Sequence, residues 1–128
     1  MEKIIISTEN APKAIGPYSQ AVRIGNLVFL SGQLGMDPKT GEIQGDVAIQ
    51  TRQALDNIGA VLSAMGLTFD HVVKTTVFVK DLDDFATVNE IYGSVFSHDA
   101  PARSCVEVSR LPKRGLVEIE CIAAYPAH

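Results

Sequence analysis

The chain is poor in three things: cysteine, net positive charge and long apolar runs. Its 128 residues include two cysteines, Cys105 and Cys121. Both fall inside predicted strands and read as free thiols in a reducing compartment. With three scattered histidines (His71, His98 and His128) they form no zinc-binding spacing, which argues against a metal site. The net charge of −4 lacks the basic face that a nucleic-acid binder presents, leaving Lys113 and Arg114 as a local patch. No apolar segment approaches the roughly 20 residues that span a membrane. The run Ile4-Ile5-Ile6 is too short for a signal peptide. These absences predict a cytoplasmic protein with no membrane partner. Repeats, low-complexity stretches and linker-like shifts in composition are also missing, so one domain over residues 1–128 is expected.

What is there suits a core. Hydrophobic residues make up 46% of the chain and charged ones 20%, ordinary proportions for a globular domain. Short apolar runs predict strands over residues 4–7, 21–24 and 27–31. Gly25-Asn26, between the last two, favours a two-residue hairpin turn. Residues 37–41 form a loop by their turn chemistry. Asp46 caps a helix reaching about residue 65, with Ala54, Leu55, Ile58, Val61, Leu62 and Met65 on one face. Gly66 supplies the left-handed residue that ends it. A strand over 72–80 follows, with Val73, Val77 and Val79 on one side and Val72 and Phe78 on the other. Asp83 or Asp84 caps a second helix that turns Phe85, Val88, Ile91, Tyr92 and Val95 toward the core. Two alternating stretches, 101–108 and 117–120, close the order as strands.

Each helix has one apolar stripe, so both should cover one face of a single sheet in an α+β fold. The other face then has no cover within the chain, although strand 72–80 is apolar on both sides. A partner subunit over that face, with sites between subunits, is expected.

The last two strands hold the candidate chemistry. Arg103, Cys105 and Glu107 share one face of the first, and Glu118 and Glu120 share one face of the second. An arginine that keeps its proton can then stand near carboxylates that accept one. That pairing suits a small anionic substrate attacked by water. Arg103 offers a planar fork to a carboxylate; a plain ion pair is the alternative. Either Glu118 or Glu120 could orient or deprotonate water if partly buried, or simply face solvent, and alternation does not choose between them. Glu107 is expected to pair with Arg110 or another basic group. Cys105 has no histidine near it in sequence and reads as a structural thiol rather than a nucleophile, and Cys121 as core. Ser31 ends an apolar run, and Gly32 after it lets a ligand approach the backbone. Tyr18 places a hydroxyl on a rigid loop, and Asn89 lies inside the second helix. None of these four marks a site by itself.

Longer motifs carry a resemblance. Ala14-Ile15-Gly16-Pro17-Tyr18-Ser19-Gln20, Leu30-Ser31-Gly32-Gln33 and Gln53-Ala54-Leu55-Asp56-Asn57 resemble the RidA (YjgF) family. The stretches 73–82, 85–89, 101–104, 110–113 and 117–120 continue the match in order across nearly the whole chain. The resemblance implies a chorismate-mutase-like fold, a single mixed sheet with two helices on one face, assembled as a homotrimer with clefts between subunits. It implies a 2-iminobutanoate/2-iminopropanoate deaminase without metal or organic cofactor. Such an enzyme hydrolyses imines released by pyridoxal-phosphate dehydratases to 2-keto acids and ammonia. By position, Arg103 matches the arginine that grips the substrate carboxylate. Glu118, rather than Glu120, matches the glutamate that positions water. Tyr18, Ser31 and Asn89 match residues lining the cleft, Gly32 is expected to bind substrate beside Ser31, and Cys105 matches a cleft position that contributes backbone contacts. An endoribonuclease or translation inhibitor, a label attached to the family, finds little support in the acidic charge and isolated histidines. A noncatalytic sensor of 2-keto acids would need the same arginine, and only turnover separates it from an enzyme.

Overall fold

The structure, a computed structural model, describes residues 2–127. His128 lies outside the described residues. Period-two alternation resolves into six strands: β1 (Lys3–Ile6), β2 (Ala21–Ile24), β3 (Leu27–Leu34), β4 (Val72–Val79), β5 (Ala102–Glu107) and β6 (Val117–Ala124). They form one sheet in the order β1-β2-β3-β6-β4-β5. Every pairing is antiparallel except β4 with β5, so the sheet is mixed, as expected. Gly25 takes the left-handed backbone of the β2–β3 turn, with φ of 60°. Asn26 does not share it.

Helix α1 (Val47–Ala64) starts where Asp46 accepts a hydrogen bond from the Ile49 N–H. It ends as its glycine predicts. Gly66 sits at φ 73°, its N–H donates to Ser63, and the Leu67 N–H reaches back to Leu62. The apolar face from Ala54 to Met65 is buried as read from its spacing. Helix α2 (Phe85–Val95) begins differently from expectation. Asp84 stands at its N-cap but makes no capping bond. Asp81 caps a short 3-10 turn just before it, accepting from the Asp83 N–H. Val88 and Tyr92 are buried beneath α2, whereas Phe85 is 38% exposed at its first position.

Both helices lie on the same side of the sheet. Core side chains Val28, Val77, Val117 and Ile119 point toward them, and Tyr92 of α2 shares a 2.7 Å hydrogen bond with Thr75 of β4. The opposite face is open within the chain. It presents Phe29 and Val106, each 43% exposed. One alternation differs from the reading. Val73 is an extra residue between the pairs Val72↔Ala123 and Lys74↔Ile122. This bulge puts Val72 in the core at 5% exposure and leaves Val73 48% exposed. Among the described residues no helix is long and apolar enough to cross a membrane.

Candidate active site

A second bulge builds the first half of the site. Between the pairs Leu30↔Cys121 and Gln33↔Ile119, two residues of β3, Ser31 and Gly32, stand opposite Glu120 alone. The extra residue bends the strand and interrupts the ladder. The Ser31 hydroxyl donates to the Ser19 carbonyl at 2.6 Å, and its N–H donates to the Gln20 carbonyl. Glu118 on β6 lies against Gly32. A β-carbon there would come within 2.9 Å of the Glu118 carboxyl carbon, so the carboxylate occupies space that only glycine leaves.

These residues open onto a cleft of about 530 Å³, with Tyr18, Lys13, Met36 and Lys113 on its walls. Burial first, and then the like charge of Glu120, push the Glu118 carboxyl above its usual value of 4.5. A half-buried carboxylate with raised basicity can take a proton from water. Gln20 secures the loop that brings Tyr18 in. It accepts from the Thr8 N–H, and its amide donates to the carbonyls of Thr8, Ala11 and Pro12.

The second half surrounds Arg103. Phe85, Asn89 and Tyr92 fall at i, i+4 and i+7 on α2, one stripe of the helix. The Arg103 guanidinium donates to the Asn89 side-chain oxygen at 2.8 Å. It lies 4.8 Å from the Tyr92 ring centre and 5.4 Å from that of Phe85, within range of cation–π attraction. Its partners here are a neutral amide and two rings, so its charge is available to an anion. Cys105 is nearby. Burial pushes its thiol above the usual value while Arg103 pulls it down. The net rise keeps it protonated at neutral pH, unlike an activated nucleophile. Cys121, deep in the core, is pushed up to about 12. Glu107 accepts from the Leu82 N–H at 3.0 Å, in place of the expected pairing with Arg110. His71 bonds back to Thr68 at its own turn. Among the described residues no three His, Cys, Asp or Glu side chains are grouped to hold a metal ion.

The two halves do not meet within one chain. Arg103 and Cys105 pair with Thr75 and Val77, so they project toward the helices. Glu118 pairs with Phe78 and Glu120 with Thr76, so they project from the open face. The expectation that alternation sets Arg103 beside these carboxylates is therefore corrected: β4 lies between the two strands, and the groups use opposite faces. Sequence reading also missed Gln20 and the ring platform under Arg103. Only the platform left a signal, an aromatic and polar stripe on α2.

Comparison with known proteins matches the chain to one family. The family model described as endoribonuclease L-PSP covers residues 8–125. The 2-iminobutanoate/2-iminopropanoate deaminase of Escherichia coli K12 is 60% identical over 121 residues, 92% of this chain and 94% of the relative. The solved structure of the Escherichia coli YjgF gene product superposes with a TM-score of 0.91 at 57% identity, covering 96% of this chain and 99% of that one. Escherichia coli TdcF, solved with bound serine, gives a TM-score of 0.91 at 51% identity with the same coverage.

Proposed function

The chain belongs to the endoribonuclease L-PSP family, the RidA (YjgF) family of its motifs, and on that premise we propose that it is a 2-iminobutanoate/2-iminopropanoate deaminase. The observation that carries the reading in this molecule is the seat of Arg103. A guanidinium held by an amide and two rings is prepared for one planar anion, the carboxylate of a 2-imino acid. A protonated imine next to that carboxylate is already electrophilic, so the reaction requires no metal or organic cofactor. Glu118 takes a proton from water as the oxygen bonds to the imine carbon. Glu118 returns that proton to the amine nitrogen of the tetrahedral adduct, which restores the carboxylate. The C–N bond breaks as the hydroxyl oxygen becomes the carbonyl, and the hydroxyl proton leaves with ammonia as ammonium, giving the 2-keto acid. The protein contributes placement and charge. Tyr18, Ser31 and Gly32 line the approach on the Glu118 side, and Asn89 and Cys105 line it on the Arg103 side.

The opposite facing of the two halves supports a cleft shared between subunits. Arg103 of one copy would meet Glu118 of the next once the open face, with Phe29 and Val106, packs against a partner. We read the assembly as a cytoplasmic homotrimer. The bound serine in TdcF favours a second reading, a sensor that captures amino- or keto-acid ligands without turning them over. One assay separates the two. A threonine dehydratase generates 2-iminobutanoate, semicarbazide competes for it, and 2-ketobutyrate release is followed. Acceleration by the chain, cut at least about 100-fold in Arg103→Ala, is the expected result. No acceleration by the assembled protein selects the sensor. Turnover unaffected by Arg103→Ala overturns the assigned site.

A further inference from the structure

The motif Gln53-Ala54-Leu55-Asp56-Asn57 has no role in the reaction above, yet its Asn57, and Gln50 one turn before the motif, reach backbone at the ends of the two strands that wall the cleft. Asn57 is 1% exposed, and Gln50, seven residues earlier on the same helix face, is 4% exposed. The Asn57 amide donates to the carbonyls of Leu34 at 3.1 Å and Met36 at 2.8 Å, and its oxygen accepts from Gln53 at 2.9 Å. The Gln50 oxygen accepts from the Leu116 N–H at 2.9 Å, and its amide donates to the Gly45 carbonyl at 2.9 Å.

These backbone groups stand where β3 ends and β6 begins. Leu34 is the last residue of β3, two after Gly32. Leu116 immediately precedes β6, two before Glu118. A β-carbon on Gly35 would come 2.5 Å from the Gln50 α-carbon, so the chain leaving β3 lies directly on α1. Backbone groups released from a ladder must find partners when buried. Here two helix amides supply them, one to each strand of the Gly32–Glu118 wall. The neighbouring inward positions of α1, Ala54, Leu55 and Ile58, are apolar, so amides stand on this face where the ends of β3 and β6 meet it.

We infer that Asn57 and Gln50 are positioning residues, acting through the backbone of Leu34, Met36 and Leu116 to hold the Glu118 carboxylate against Gly32. The kinetic part of this inference rests on the deaminase reading; the ionisation of Glu118 does not. The test uses the full chain and its variants Asn57→Leu, Gln50→Leu and Gln50→Glu. It measures kcat and KM for 2-iminobutanoate, and follows Glu118 by carbon-13 NMR of labelled glutamate carboxyls, assigned with Glu118→Gln. Asn57→Leu is expected to keep the wild-type mass and lose about 10-fold in kcat with KM within about 2-fold. Its Glu118 titration should move down toward the ordinary carboxylate range as water enters the cleft.

Gln50→Leu should behave in the same way. Gln50→Glu should recover most of the kcat, because a buried, protonated glutamic acid makes both of the glutamine's bonds. Should Asn57→Leu not fold, Gln53→Leu, which removes the bond that orients Asn57, is read by the same signs at smaller size. A folded Asn57→Leu with unchanged kcat and unchanged Glu118 titration overturns the inference. So does a Gln50→Glu variant as impaired as Gln50→Leu. If the wild type hydrolyses no imine, the deaminase reading fails, and the inference stands or falls on the Glu118 titration alone.

Discussion

Glu118 works against its surroundings. Burial and the neighbouring Glu120 both favour its protonated form, but the proposed mechanism needs it ionised to take a proton from water. Activity should therefore fall as pH drops through its raised pKa, at a higher pH than an ordinary carboxylate would give. Replacing Glu120 with glutamine removes the like charge, lowers the Glu118 pKa and moves the acid limb of the kcat–pH profile down. A limb unmoved in Glu120→Gln would detach that limb from Glu118. Gly32 makes a second claim at this scale. An added methyl meets the Glu118 carboxyl carbon at 2.9 Å, and that carboxyl is the far end of a flexible side chain. Gly32→Ala should fold normally and lose roughly 10-fold or more in kcat by displacing the carboxylate. Unchanged turnover in that variant would show that the close approach has no catalytic use.

At the scale of elements, signals local to the chain were legible and pairing details were not. Helix α1 was readable at both ends because Asp46 and Gly66 act within a turn of their own positions. Replacing Gly66 by alanine forces a side chain into φ 73° and should cost about 1 kcal/mol. A lowered urea midpoint with kcat intact is the expected pattern. The two bulges left no such mark. Whether Val73, or Ser31 with Gly32, fits the ladder depends on the partner strand β6, which lies far away in sequence. For the same reason Val72 and Val73 exchanged faces relative to simple alternation. Asp84 keeps the N-cap position of α2 without a capping bond, and the side-chain bond is made by Asp81 at the 3-10 turn interposed before it. Three aspartates in four positions do not reveal which one caps.

At the scale of the whole molecule, which candidate residues share a strand face was legible and how the two strands are arranged was not. Alternation grouped Arg103 with Cys105 and Glu118 with Glu120. It could not relate the two groups, because that depends on β4 lying between β5 and β6. The consequence reaches assembly. On the proposed mechanism, groups on opposite faces of one sheet would cooperate across copies, and the open face with Phe29 and Val106 is where a copy would pack. Phe29→Asp should reduce the mass in solution toward that of one chain and abolish imine hydrolysis together with it. The most direct test of a shared site mixes two inactive variants. Arg103→Ala and Glu118→Gln are unfolded together, refolded as mixed assemblies and assayed against each protein refolded alone. Sites that take Arg103 from one copy and Glu118 from its neighbour should recover about one quarter of wild-type activity under random mixing. Activity no higher than that of the separate variants, in assemblies shown to be mixed, would contradict the shared cleft and return both groups to a single chain.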